Sequence, residues 1–405
     1  MKATDTSQFS AADSTIGYLY QVRIALLWAL RRLPETDFLV SVETLDDVAF
    51  EAQNGTPKDL LQTKHHRNRE ANLTDTSPDI WKSLRIWLDA YNSGRVAEET
   101  SFHLLTTAQV PSGSAASHLR IENRDVNAAL DALESAIRTS TSKTNEKAYD
   151  LFRKTSSEVK YKILNNTFIF DTSPMIDELE AELHKVIFHA VERKHLGSFL
   201  ERLEGWWFHR VLKQLTSSDD RILSDELESQ MCDLREQFKQ ESLPIDDDLI
   251  MLNLDDAIAE VDSDSIFIRQ LELTKAGKHR IVGAVRDYYR AFEQRSRWMR
   301  EDLLLVGELS KYERKLIEEW ELVFGAMIDE CGKDATDDAK ERLARNLLQW
   351  AEQVAPTSIR IRSQVTEPFI TRGSLHMLSD DLLVGWHPEF RERLASLLKN
   401  REILT

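Results

Sequence analysis

Between residues 17 and 32 the sequence GYLYQVRIALLWALRR is apolar on nearly every side and closes on two arginines. That pattern predicts a helix buried all round, with its basic end set against the partial negative charge of a helix C-terminus. Pro34 then stops it, because proline lacks the donor a further turn needs. Three short runs of β character follow: FLVSVE at 38–43, DVAFEA at 47–52 and DLLQTK at 59–64. Asn54-Gly55, between the second and third, predicts a hairpin. Trp81, Leu84, Leu88 and Tyr91 form one helical stripe over about 79–92, and SFHLLTTA at 101–108 reads as a fourth strand. The predicted order α-β-β-β-α-β is a compact mixed sheet flanked by helices.

Beyond about residue 122 the apolar period lengthens to that of amphipathic helices. Ile176, Leu179, Leu183, Ile187 and Ala190 predict one over 175–192; Leu309, Tyr312, Leu316, Trp320, Val323 and Met327 predict another over 309–328. Four stretches interrupt the pattern: a polar loop or linker, TSTSKTNEK at 139–147; YKILNNTFIF at 161–170, with strand character; the acid-rich LPIDDDLIMLNLDD at 243–256; and SIRIRSQVTEPFITRG at 358–373, ahead of a last helix from Pro388. The expectation is an α+β protein: an α/β domain over 1–122, a helical middle region over 123–257 and a helical C-terminal domain over 258–405. The aromatics of Leu203-Glu-Gly-Trp206-Trp207 and Gly385-Trp386-His387-Pro388 are read first as core, and as interface anchors only if exposed.

Composition narrows the class. At 405 residues the chain is long for one core, and with 41% hydrophobic and 30% charged residues it is globular rather than disordered. No window offers the roughly 18–20 uncharged apolar residues that span a bilayer, and MKATDTSQFSAADST has no apolar signal core, so a cytoplasmic protein away from membranes is expected. Cys232 and Cys331 are too far apart to suggest a disulfide framework or a zinc site. The 52 Lys and Arg against 69 Asp and Glu leave a net charge of −17, which argues against a surface broadly coated for nucleic acid. One dense cationic run stands out, His65, His66, Arg67 and Arg69 after Lys64, either a solvated loop or a contact for phosphates. Lys275-Ala-Gly-Lys278 lacks the upstream glycine of a phosphate loop, and no His-Glu-x-x-His, Gly-x-Ser-x-Gly or dinucleotide-binding glycine run occurs. His184 and His189 do not share a helical face well and are not read as ligands.

The candidate chemistry lies in Glu43-Thr-Leu-Asp46-Asp47 and Gln62-Thr-Lys64. Alternation puts Gln62 and Lys64 on one face of their strand, and the hairpin returns that strand beside Asp47. A carboxylate, an amide oxygen and an ammonium group are thereby brought to one sheet surface. Phosphodiester hydrolysis uses those parts: hard oxygen ligands for a divalent cation, and a positive charge beside the reacting phosphate. Acids at strand starts and lysines at strand ends are commonly solvated turn residues. An amide and an amine on one face of an apolar strand, however, cost stability unless exposed or used.

This arrangement resembles the PD-(D/E)xK nuclease superfamily in its D…QxK form, with Gln62 where Glu is commoner. Gly17-Tyr18-Leu19-Tyr20-Gln21, Glu43-x-x-Asp46-Asp47, Gln62-x-Lys64-His65-His66 and Asp79-Ile80-Trp81-Lys82 resemble, in that order, the double-stranded-DNA nuclease domain of bacterial anti-phage effectors. The resemblance implies a restriction-endonuclease-like domain in which Asp47 and Gln62 bind Mg²⁺ or Mn²⁺ and Lys64 is the catalytic cation. Gln62 is a neutral ligand, so Glu43 or Asp46 is left to compensate, and Gln21 is a supporting residue. Arg297-Trp298-Met299-Arg300, the Tyr312–Trp320 helix and the final Gly-Trp-His-Pro resemble the C-terminal partner-docking region of ABC-three-component systems, which overlap with the Lamassu anti-phage family. That resemblance implies a DNA endonuclease effector silenced in a complex with an SMC-like ATPase and a small third subunit, and self-associating when active. The alternatives are a non-catalytic scaffold with a degenerate nuclease fold, a nuclease acting on RNA, and a cyclic-oligonucleotide-gated effector, for which no second α/β domain is evident.

Overall fold

The computed structural model describes residues 11–35, 37–66, 71–217, 220–251, 265–332 and 334–395. The chain divides into two compact units, Met1–Leu234 and Arg235–Thr405.

The first unit opens with α1 (Ala11–Arg32), followed by β1 (Leu39–Val42), β2 (Val48–Glu51), β3 (Pro57–Lys64), α2 (Pro78–Asn92) and β4 (Ser101–Thr106). The expected α-β-β-β-α-β order is therefore present. Gly55 takes a left-handed φ of 79° in the β2–β3 turn, a conformation open to glycine without a Cβ clash, and Asn54 Oδ1 accepts the Thr56 N–H at 3.0 Å. Val48 pairs with Leu61 and Ala49 with Leu60 in antiparallel register, while β4 runs parallel to β3 with Thr106 opposite Lys64.

The sheet continues past residue 122. After α3 (Val126–Thr139), α4 (Glu146–Lys154) and α5 (Ser157–Asn165), β5 (Thr167–Phe170) adds beside β4. Only the second half of YKILNNTFIF is strand; its first half finishes α5. Next come α6 (Leu179–Val186), α7 (Leu196–Thr216), β6 (Ile222–Leu223) and α8 (Ser224–Gln237), giving a six-stranded mixed sheet in the order β5-β4-β3-β2-β1-β6. Strand β6 has only two residues, too short to carry an alternation signal in the sequence.

One face of the sheet packs on α2–α5 through Ala49, Leu60, Phe102, Leu104 and Ile169. Trp87 of α2 lies 5.3 Å from Phe102 and Trp81 stacks edge-on to Tyr149 at 4.6 Å. Burying one such indole removes some 150–250 Å² from water, about 4–6 kcal/mol by area. The α1 side carries polar pairs in place of a purely apolar seam: Asp59 meets both Arg32 and His103, whose ring lies among Trp28, Phe168 and Phe170. Helix α7 locks the end of β1 through Gln214, which accepts from the Val42 N–H at 3.0 Å and donates to its carbonyl at 3.2 Å.

The second unit is helical throughout its described residues: α9 (Asp247–Met251), α10 (Ile266–Leu273), α11 (Lys278–Arg300), α12 (Glu308–Cys331), α13 (Asp337–Gln353), α14 (Ala355–Ser358) and α15 (Pro368–Asp380), with a helical segment over 390–395. The break expected over 358–373 is shorter than its sequence suggested, since Pro368 occupies the first turn of α15, where its missing N–H costs nothing. Gly373 lets α15 touch α11: a Cβ there would fall 2.1 Å from the Asp287 carbonyl oxygen. Trp298, Trp320 and Trp386 are core residues, with the Trp298 indole donating to the Pro244 carbonyl and that of Trp320 to Gly385. Trp207, in the first unit, is likewise buried and donates to the Val22 carbonyl. Both cysteines are free, and among the described residues no helix is long and apolar enough to cross a membrane.

Candidate active site

The turn from β1 to β2 and the carboxyl end of β3 bring Asp47, Gln62 and Lys64 together. Gln62, 3% exposed, donates from Nε2 to Asp47 Oδ1 at 2.9 Å, and its Oε1 accepts from Lys64 Nζ at 2.8 Å. Lys64 Nζ also donates to the Thr63 carbonyl at 3.2 Å. Asp47 is fixed from its other oxygen by the backbone N–H and the hydroxyl of Thr63, at 2.8 and 3.1 Å. Thr63 lies on the other strand face from Gln62 and Lys64 by alternation, yet it reaches the cluster because Asp47 precedes β2 rather than standing on one face of the sheet.

The structure separates the two supporting acids. Asp46 is buried: it accepts from the Trp87 indole at 2.7 Å, from Gln62 Nε2 and from the Asp47 N–H at 3.0 Å. Burial, with the Asp47 charge added, pushes its carboxyl up to about 7 against the pull of those three donors. Glu43 is open to solvent beside Asp47 and takes a left-handed φ of 56°, its N–H closing the turn onto the Asp47 carbonyl. Desolvation and the Asp47 carboxylate hold Glu43 above the ordinary range, while a hydrogen bond from Gln21 of α1 and the ammonium groups of Lys64 and Lys82 pull the other way. Gln21 is therefore tied to the site through Glu43.

The two described histidines of the cationic run after Lys64 meet different partners. His65 turns toward Tyr20 of α1, ring centroids 4.8 Å apart. His66 Nε2 lies 2.9 Å from Asp79 Oδ2, and Arg67 and Arg69 lie outside the described residues. Asp79 and Lys82, which the sequence showed only as part of the Asp79-Ile80-Trp81-Lys82 resemblance with no role attached, also stand at the site. They stand one turn apart at the start of α2, a spacing that shares a helix face, so a search for i, i+3 charge pairs would have found them. Trp87 gave no such signal; an indole on an apolar stripe reads as core, and only its bond to Asp46 shows its second role.

The donor set suits one hard divalent cation in specific respects. Two carboxylates, Glu43 and Asp47, repel each other, and the Oε1 of Gln21 is buried with no hydrogen-bond partner. Among the described residues no group of three or more His, Cys, Asp or Glu side chains is placed to hold a metal, so any ion here depends on an amide oxygen as well as on carboxylates. Gln62 faces Asp46 and Asp47 with its NH₂, and ligation through its oxygen requires that amide to turn over. Substituting Gln62→Glu replaces two donated bonds with a third carboxylate. The metal-free variant is expected to lose about 1.5–3 kcal/mol and to recover with Mg²⁺ beyond the wild type. Equal melting temperatures without metal would contradict this circuit.

Residues 267–394 match the family model described as C-terminal domain 7 of the ABC-three component (ABC-3C) systems. The C-terminal part of the chain is thus similar to an ABC-three component domain. It takes in the second unit from α10 to the helical segment after residue 390, including the Trp298, Trp320 and Trp386 core. No curated protein matches the chain. Two structures of the Acinetobacter baumannii Cap4 SAVED/CARF-domain containing receptor, one with the cyclic trinucleotide 3′3′3′-cAAA, are similar over 67% of this chain at 12% and 11% identity. Their TM-score is 0.34, and this chain spans 62% of their length.

Proposed function

We propose that the chain is a metal-dependent endonuclease of double-stranded DNA, the effector of an ABC-three component anti-phage system. The observation that carries the activity is the continuous contact Asp47–Gln62–Lys64 at the carboxyl end of β3, with Glu43 beside it. Mg²⁺ or Mn²⁺ held by Asp47 with Glu43 or Gln62 would polarise the scissile phosphate and acidify water. Lys64 supplies a fixed positive charge for the phosphate, and its bonds to Gln62 and Thr63 restrict where that charge can sit. Asp46 and Trp87 hold Gln62 from below. The ABC-three component domain supports partner subunits; an SMC-like ATPase and a small third subunit are the partners proposed, with self-association of the effector on release.

The test is degradation of plasmid DNA by the purified protein, alone and with the products of neighbouring genes. Mg²⁺-dependent cutting, abolished by chelation and by Asp47→Ala, is the expected result. Cutting of duplex RNA but not DNA would reassign the substrate. The bonds from the Gln62 amide to Asp46 and Asp47 favour one other reading, a scaffold whose site stays closed. That reading predicts no cutting even in the assembled complex.

A further inference from the structure

The His66–Asp79 pair has no part in the mechanism so far, and its construction is that of a held proton donor. His66 follows β3 by two residues. Its backbone is clamped on both sides by Thr107, which accepts from the His66 N–H at 2.7 Å and donates its hydroxyl to the His66 carbonyl at 3.1 Å. Asp79, in the first turn of α2, engages Nε2 at 2.9 Å. Nδ1 has no hydrogen-bond partner among the described residues, and the side chain is 34% exposed. The other charged groups acting on the pair are Lys64 from β3 and Lys82 from α2; with His66 they overcome burial and keep the Asp79 carboxyl below its usual range. The same two lysines act on Glu43, so the pair and the carboxylates share one patch. The patch lies where the parallel strands β3 and β4 end, the edge at which ligands of parallel sheets gather.

We propose that His66, through Nδ1, is the catalytic acid that protonates the leaving oxygen of the phosphodiester, and that Asp79 is its positioning residue. This rests on the nuclease reading above. In the step, the oxygen of water bonds to phosphorus and the bridging P–O bond breaks. The leaving oxygen takes the Nδ1 proton of the imidazolium. One proton of the attacking water passes to solvent, the other stays on the new phosphate oxygen, and solvent reprotonates His66. Asp79 supports the step by holding Nε2 and so fixing which nitrogen faces outward.

The experiment compares an ordinary duplex with duplexes carrying sulfur at the bridging position, on the 3′ side or the 5′ side, whichever end-group analysis shows to be broken. Thiolate leaves without a proton. His66→Ala is expected to slow cleavage of the ordinary duplex 10²–10⁴-fold while cutting the sulfur duplex within a few-fold of wild type. Asp79→Asn is expected to follow the same split between the two substrates with a smaller loss. Equal losses on both substrates would overturn the assignment and leave His66 a structural or phosphate-contacting residue. Wild-type protein that cuts neither duplex, in the complex or alone, would sink the nuclease reading instead.

Discussion

Lys64→Met is expected to lower the rate of DNA cleavage by about 10²–10³-fold, the usual loss when one fixed charge-stabilising group is removed from a reacting phosphate or oxyanion. Methionine keeps most of the aliphatic stem and removes only the ammonium group, so packing is little changed. The bonds lost are those to Gln62 Oε1 and the Thr63 carbonyl. Lys64 is half-buried, but its acceptors are the oxygen of the buried Gln62 side chain and a backbone carbonyl, so the stability cost is about 1–3 kcal/mol. Single-turnover cleavage and a thermal melt, run together, separate the two effects. Lys64→Arg is expected to recover little, because a planar fork does not reproduce a point charge set between an amide oxygen and a backbone carbonyl. Cleavage by Lys64→Met at the wild-type rate would remove the lysine from the mechanism.

Acid is expected to destabilise the second unit well before its carboxylates protonate. His376 of α15 is 2% exposed, packs against Trp386 and Phe267, and has no hydrogen-bond partner at Nδ1. Burial, with Arg372 nearby, pushes it down to about 3. His387 has no exposed surface and is pushed down to about 4, by burial first and Arg393 next. In both cases the folded state holds the imidazole neutral while the unfolded chain titrates near 6.5. Between those values the unfolded state binds more protons, so stability is fully present above about pH 6.5 and drains away as pH falls toward 4 and 3. At pH 5 the two groups together cost roughly 4 kcal/mol. Asp46 in the first unit acts with the opposite sign: its raised carboxyl makes stability fall as pH rises from about 4 to about 7. The comparison of wild type with His376→Phe cancels that contribution. Phenylalanine keeps a ring against Trp386 and removes the proton site, so the stability lost between pH 7.5 and 5 should be smaller by about 2 kcal/mol in the variant. Denaturant melts at both pH values that show the same loss in the two proteins would mean that His376 finds a proton acceptor in the fold.

Much of the first unit was legible because its signals are local. A helix apolar all round, two alternating runs and an Asn-Gly turn specify α1 and the β2–β3 hairpin without reference to the rest of the chain. Because alternation has a period of two, that hairpin register already put Gln62 and Lys64 on one strand face and Asp47 beside them. Residues outside the hairpin were another matter. Strands β5 and β6 join the sheet across about 60 and 180 residues of intervening chain, and such pairing is set by what the helices leave uncovered. The choice between Glu43 and Asp46 was open in the sequence, since adjacent acids on a turn have the same chemistry. Trp87, 41 residues away from Asp46, sets the two apart by sealing that acid and leaving Glu43 exposed.

The sequence by itself determined the order of elements in the first 110 residues, the polar triplet at the end of β3 and the helical character of the second unit, because each follows from periods and turn residues within one short segment. Tertiary structure alone decided which acid is buried, which way Gln62 presents its amide, and that His65 and His66 go to different partners. Those are outcomes of side chains from α1, α2 and three strands competing for one small space. A one-dimensional pattern carries no term for that competition.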